Sequence, residues 1–297
     1  MNEESLAQLS GVSKRFGNVL ALDGLNLDVR RGELLAVLGP NGAGKTTAIS
    51  LMLGLQQPDA GTASLFRQPP QRLEARRAVG VMMQEVTLAE ELRVREHIDL
   101  VGHYYPDPFA PNAVLEMTHL TALANRPYGK LSAGQKRQAQ FAVAVCGRPK
   151  LLFLDEPTVG MDVQARGVMW DTLRTLVSRG SSIFLTTHYL EEAQALADRV
   201  VVLAKGRLIA SGTVSEMRAI ISRKRITCST TLTFEEIAPW PGVESVTRDR
   251  ELLHITATDA EEVARRLLIA DPKLGDLEVH RAGLAEAFTE LTQETTS

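Results

Sequence analysis

The chain has 297 residues, 44% of them hydrophobic and 23% charged, with a formal net charge of -3, a composition suited to one large or two modest globular domains. No apolar run approaches the ~18 residues of a membrane-spanning helix, and the opening MNEESLAQLS is acidic and polar where an export signal would be basic and then apolar, so a cytosolic protein is expected. The near-neutral balance lacks the basic block of a nucleic-acid binder, and Cys146 and Cys228 lack CxxC spacing, so both read as small buried residues rather than disulfide or zinc ligands.

Up to about Met83 the chain alternates β-rich runs with turn residues: a strand near Leu25 to Val29, the turn RRGE, then the apolar strand LLAVLG, Leu34 to Gly39. A helix is predicted immediately afterwards. The junction between them reads GPNGAGKTT, namely Gly39, Pro40, Asn41, Gly42, Ala43, Gly44, Lys45, Thr46 and Thr47, and it matches G-x-x-x-x-G-K-[ST] in the strand-to-helix setting the motif requires. The glycines let backbone N–H groups close around a polyphosphate, Lys45 neutralises it, and the Thr46 hydroxyl is a candidate Mg²⁺ ligand. The alternative is a plain glycine-rich turn with a solvated lysine.

From about residue 85 to 150 the spacing becomes helical and is broken by prolines, as in YYPDPFAPN, which predicts a helical insert. Within it, LSAGQKRQ carries Ser132 and Gln135 at the S-x-x-Q spacing of a capping box, so a helix is predicted to open there and run toward Val145. Such a start leaves N–H groups facing outward as an anion site, or else Ser132 merely caps its helix. The segment TLAEELRVREHI suits a docking surface and an ordinary amphipathic helix equally.

Short strands then return in LLFL (Leu151 to Leu154), SIFLTTH (Ser182 to His188) and RVVVL (Arg199 to Leu203), separated by helices, the pattern of a parallel α/β sheet. The first ends in Asp155 and Glu156, at the carboxyl edge where such sheets bind ligands. Asp155 is a candidate for holding Mg²⁺ through water and Glu156 for polarising an attacking water; the alternative is an acidic pair capping a helix near Thr158. After Thr213 a basic helix is expected over Val214 to Lys224. The order strand (Ile226 to Leu232), short helix (Phe234 to Ala238), strand (Val243 to Arg248), strand (Leu252 to Ala257), helix (Ala260 to Ala270), strand (Leu277 to Arg281) and terminal helix follows. That βαββαβ order predicts a ferredoxin-like domain.

In the order of these motifs, from about Leu6 to Thr213, the chain resembles the ATP-binding subunit of an ATP-binding-cassette (ABC) transporter. It carries the Walker A loop Gly39 to Thr47, Gln84 after a strand, the signature LSAGQ from Leu131 to Gln135, Walker B with Glu156, the VGMD loop ending at Asp162, and His188 in TTHYLEEA. The match is closest to the exporter branch of daunorubicin-, sodium- and nodulation-export ATPases. The resemblance implies an α/β fold, a P-loop NTPase cassette of residues 1–213 with a mostly parallel core sheet, an N-terminal β subdomain and the helical insert. A linker helix over 214–225 and a small α+β accessory domain over 226–297 would complete the chain.

The resemblance also implies ATP and Mg²⁺ as cofactors and a head-to-tail homodimer in which Ser132, Gly134 and Gln135 of one chain cover the γ-phosphate bound to the other. Ala133 departs from the usual glycine, adding a Cβ there. By the same resemblance His188 senses the γ-phosphate and orients the water with Glu156, Gln84 contacts Mg²⁺ and water, Phe16 stacks on adenine, and Asp162 lies at the subunit interface. The residues themselves leave a structural His188, a core Phe16 and an N-cap role for Asp162 open. A separate transmembrane permease would dock near Gln84 to His97, holding the protein at the inner face of the membrane, with no nucleic-acid partner. A soluble ABC-type ATPase acting on DNA or the ribosome is the competing reading. Its DNA-repair relatives carry long coiled coils between the two Walker motifs and its translation relatives carry two cassettes, and neither feature is present. A non-catalytic nucleotide-gated module is disfavoured by the intact Lys45, Asp155, Glu156 and His188.

Overall fold

A computed structural model of the chain describes residues 5–221, 224–249 and 252–281. The chain divides between Thr213 and Val214 into two compact units.

The first unit opens with a long hairpin, β1 (Ser5–Phe16) and β2 (Val19–Arg30). Gly17 takes φ +54 in the short turn between the paired Phe16 and Val19, a left-handed conformation that tight hairpins demand. Leu22, Leu25, Leu27 and Val29 of β2 are buried and alternate with less buried neighbours, as expected of a sheet with one covered face. After β3 (Leu34–Leu38) and α1 (Lys45–Met52), β4 (Ala60–Leu65) joins β1 to complete the antiparallel sheet β2-β1-β4.

A single turn, α2 (Leu73–Arg76), and β5 (Val79–Met82) precede the helical insert of α3 (Val94–Gly102), α4 (Pro111–Met117) and α5 (Ala133–Val145). Then come β6 (Leu151–Asp155), α6 (Val163–Ser178), β7 (Ser182–Thr187), α7 (Leu190–Leu196), β8 (Arg199–Ala204) and β9 (Arg207–Gly212). They form one sheet in the order β5-β6-β7-β3-β8-β9, parallel except for the edge strand β9. Every residue of β3, β6 and β7 is buried, because both faces of the sheet are covered, and this is why these strands read as unbroken apolar runs. Alternate side chains serve two cores. Leu35, Val37, Phe153 and Phe184 pack with α1 and the antiparallel sheet, whereas Leu34, Leu152, Leu154, Ile183 and Leu185 pack with the insert and α6.

The second unit begins with α8 (Val214–Ile221), which is shorter than the sequence predicts, since Lys224 already opens β10 (Lys224–Ser229). Next come α9 (Phe234–Ile237), β11 (Val243–Asp249), β12 (Leu252–Ala257), α10 (Ala260–Ala270) and β13 (Gly275–Arg281). All its pairings are antiparallel, in the order β11-β12-β10-β13. This is the strand order of a split βαβ, ferredoxin-like sheet. β10 stops at Ser229 rather than reaching Leu232 because Asp271 captures the following turn. Its carboxylate accepts from Thr230 Oγ1 at 2.6 Å, Thr231 N at 2.7 Å and Lys273 N at 2.9 Å. The terminal helix expected after Arg281 lies outside the described residues.

Candidate functional site

The sheet order puts the carboxyl ends of β6, β7 and β3 side by side, and register pairs Asp155 with Thr186 and Leu38 with Thr187. Residues distant in sequence thereby meet at one edge. The loop Gly39–Thr47 leaves β3 and enters α1, whose N-cap Gly44 sits at φ +103. A Cβ on Gly44 would lie 2.7 Å from the Ala21 carbonyl, and one on Gly39 would collide with the Leu203 carbonyl, so packing requires both glycines and conformation requires Gly44 as well. No side chain caps α1, which leaves its first N–H groups facing the loop, an arrangement suited to an anion.

Lys45 Nζ donates to the carbonyls of Gly39 at 2.7 Å and Pro40 at 3.3 Å and pairs with Glu156 Oε1 at 3.2 Å, with side chains only 5% and 6% exposed. The other carboxylate oxygen of Glu156 lies 3.3 Å from His188 Nδ1. Lysine, carboxylate and imidazole therefore form a continuous line. Glu156 itself stands at φ +47, a conformation that costs a non-glycine residue of order 1–3 kcal/mol and persists only where its surroundings hold it. Its N–H donates to Thr186 O and Oγ1, each at 3.1 Å, and its carbonyl accepts from Arg137 Nη2 at 2.6 Å.

Asp155 is fully buried and accepts from two hydroxyls, Thr46 Oγ1 at 2.7 Å and Thr186 Oγ1 at 2.5 Å. Thr46 and Asp155 thus present oxygens to one point beside the phosphate loop, the donor chemistry that Mg²⁺ prefers. Among the described residues no cluster of three or more His, Cys, Asp and Glu could hold a metal. A cation here would rely on one hydroxyl, one carboxylate and the oxygens of a bound polyphosphate, which is the common manner of holding Mg²⁺.

Gln84 follows β5 at this same edge, where Met82 pairs with Leu154, and the other predicted residues belong to α5, α6 and the β1–β2 hairpin. Ser132 caps α5 and the full capping box is formed, Gln135 N to Ser132 Oγ at 3.3 Å and Ser132 N to Gln135 Oε1 at 3.1 Å. Ser132 and Ala133 are exposed, and the extra methyl of Ala133 faces outward with them. A Cβ on Gly134 would meet Gly160 O at an ordinary 3.6 Å, so the signature lies against the VGMD loop of its own chain. Asp162 caps α6, accepting from Ala165 N at 2.8 Å. Phe16 is exposed at the end of the β1–β2 hairpin, which removes the core reading for it. Gln84 is exposed and its carbonyl accepts from Arg137 Nη1 at 3.1 Å.

Three participants were missed by sequence reasoning. Thr186 carried a faint signal, a hydroxyl at the end of an otherwise apolar strand. Arg137 carried none, since the KRQ run reads as a solvated helix face; burial lowers its pKa against the opposing pull of Tyr128, Asp155 and Glu156. Glu192 of α7 is buried, takes a hydrogen bond from Trp170 Nε1 at 3.1 Å, and is pushed up in pKa chiefly by burial.

With this geometry in view, the similarities to known proteins are specific. A family profile described as ABC transporter matches residues 22–159. Over 298 residues the chain is 39% identical to the Nod factor export ATP-binding protein I of Burkholderia thailandensis, covering 95% of each chain. It is 37% identical over 300 residues to the daunorubicin resistance ATP-binding protein DrrA3 of Streptomyces coeruleorubidus, covering 96% of this chain and 95% of that one. These alignments run on through the second unit, further than the motifs reach. Among solved structures, the ATP-binding subunit of an ABC transporter matches with a TM-score of 0.66 and 27% identity over 72% of this chain and 92% of its own. A dimeric ATP-binding cassette bound to ADP and Pi shares the fold, with a TM-score of 0.64 and 23% identity over 70% of this chain and 98% of its own.

Proposed function

The chain belongs to the ATP-binding subunits of ABC transporters, a family of ATPases, and from that premise we propose how its residues divide the work. One ATP is held by Gly39–Thr47, with its phosphates on the loop amides and Lys45. Thr46 and Asp155 would hold Mg²⁺, with Gln84 as a further oxygen donor, and a cation held there would supply neutralisation of the charge that develops on the transferring phosphoryl group. Glu156 takes the proton of the attacking water, and His188, 3.3 Å from it, holds that carboxylate and the water in line. Phe16 offers its exposed ring to the adenine. The single observation that carries this reading is the line Lys45–Glu156–His188 beside the Thr46–Asp155 pair, all at the carboxyl edge of one sheet.

The site is completed by a second copy. Ser132, Gly134 and Gln135 of one chain close over the γ-phosphate held by the other, with Asp162 at the seam; the exposed, self-capped start of α5 supports this because it offers helix N–H groups to an outside anion. ATP binding then draws the two chains together and hydrolysis releases them. Among the described residues no helix is long and apolar enough to cross a membrane, which supports a separate permease as the element that moves cargo, with this subunit peripheral at the cytoplasmic face. The names of the relatives, Nod factor export and daunorubicin resistance, support export. They also disfavour action on DNA or the ribosome.

Glu156→Gln is expected to bind ATP, to accumulate as a nucleotide-bound dimer on gel filtration, and to lose turnover by roughly 10²–10⁴, the usual share of a general base. Unchanged steady-state hydrolysis would remove Glu156 from that role. Ser132→Arg mixed with Lys45→Ala should leave at most one working composite site per dimer; full activity in each variant alone would rule out the head-to-tail arrangement.

A further inference from the structure

One guanidinium joins three parts of the first unit that the proposed reaction treats separately. Arg137 lies on α5, two residues after the signature. Its Nη2 donates to the Glu156 carbonyl at 2.6 Å, while Nη1 lies within reach of the carbonyls of Met83 at 3.4 Å and Gln84 at 3.1 Å and of Gln140 Oε1 at 3.1 Å. Gln140, the next residue along the same helix face, donates to the Val86 carbonyl at 2.6 Å and to the Tyr128 hydroxyl at 2.7 Å. The helix that begins at the signature thus grips the 83–86 segment at several points. Through the other prong of the same fork it holds the peptide of Glu156.

That peptide is the strained one. With φ at +47, the Glu156 backbone decides whether its carboxylate points at Lys45 and His188 or away, and its carbonyl accepts a long bond from Val159 N at 3.5 Å and a short one from the Arg137 fork at 2.6 Å. A planar guanidinium with donors at fixed angles transmits displacement between the groups it bridges, which a flexible ammonium does not. The buried Nε has no hydrogen-bond partner, so the hydrogen bonds of this side chain run through its two terminal nitrogens.

We propose that Arg137 is a positioning residue that couples the 83–86 segment to the aim of the Glu156 carboxylate, so that a shift of that segment alters hydrolysis through one side chain without touching the nucleotide. The inference rests on Glu156 being the base of the reaction. It assigns Arg137 no contact with ATP, and the effect must therefore fall on kcat.

The test uses the full-length chain, steady-state ATP hydrolysis and equilibrium binding of a fluorescent ATP analogue. Arg137→Met is expected to lower kcat by up to about 10²-fold, the scale of a small misplacement of a reacting group, while KM and analogue binding stay within about twofold. Arg137→Lys, which can reach one side of the bridge at a time, should recover only part of the loss. In a Glu156→Gln background the same Arg137→Met change should cost almost nothing further, because the group it aims is gone. Full recovery in the lysine variant, an equal loss in the Glu156→Gln background, or a rise in KM without a fall in kcat would each overturn the proposal. If Arg137→Met fails to bind the analogue, Arg137→Lys carries the same test, and loss of binding in both makes the residue structural and the proposal wrong. Should Glu156→Gln itself hydrolyse normally, the assignment of the base fails. If it is dead while Arg137→Met is fully active, only the coupling fails.

Discussion

Each unit of the chain buries an aspartate and ties it with threonine hydroxyls, yet the two sites are built for different ends. Asp155 receives two side-chain hydroxyls, from Thr46 and Thr186, and sits beside Lys45, Glu156 and His188. Asp271 receives one hydroxyl and two backbone amides, from Thr230, Thr231 and Lys273, with no catalytic group beside it. Hydroxyls rotate, so the partners of Asp155 can exchange for a cation and its phosphates; amides in a turn cannot, so the bonds of Asp271 are fixed for the life of the fold. On the proposed reading, the same residue types make an exchangeable site in one unit and a staple in the other.

The sharpest way to break this comparison is to neutralise each carboxylate. Asp155→Asn should cut hydrolysis by about 10²–10³, the scale of losing one electrostatic element of a transition-state site, with little loss of thermal stability. A chain that melts early but hydrolyses normally would reverse the assignment. Thr186→Val should weaken both functions of its hydroxyl, the bond to Asp155 and the one to Glu156 N, lowering stability by about 1.5–3 kcal/mol as expected for a hydrogen bond to a charged group, together with a partial loss of turnover. Denaturant melts and hydrolysis on the same samples separate the two.

In the second unit the prediction concerns pH. The hydrogen bonds from Thr230 and the two amides hold the Asp271 carboxyl down at about 2 against an ordinary 3.8. A group whose folded pKa is depressed contributes stability that is present above its ordinary value and is lost as pH falls through the folded one. Asp271→Asn should therefore destabilise β10 and β13 at neutral pH, and the gap from the parent chain should close between pH 4 and 2. Hydrogen exchange of those strands reads it; a gap independent of pH would mean that shape rather than charge holds the turn. The smallest expected effect is at the cysteines. Burial pushes the Cys146 thiol up to about 12 and Cys228 up to about 11, so a maleimide should label neither in the folded chain. Faster labelling of Cys228 would identify the second unit as the one that opens first.

Much of this site was legible in the sequence because its signals are local. The spacing of Gly39, Gly44 and Lys45 is set by what a backbone must do to wrap a phosphate, and Ser132 with Gln135 follows from how one helix satisfies its own first amides. The apolar runs of β3, β6 and β7 follow from burial on both faces. The bounds of the second unit's elements were less secure: α8 ends earlier than its basic pattern suggests, and β10 ends where a carboxylate distant in sequence takes over the turn.

The amino-acid order alone determined the buried strands of the parallel sheet, the loop that can hold a polyphosphate and the helix start at Ser132, since each depends on neighbours within a few positions. Only the tertiary structure decided that β7 lies between β6 and β3, and so that Thr186 reaches Asp155, that Arg137 reaches both Glu156 and the 83–86 segment, and that Glu156 is held in a strained peptide. Those relations depend on strand order and on groups that meet across long stretches of chain, and an arginine on a polar helix face looks the same in a sequence whether it ends in water or in a bridge of carbonyls.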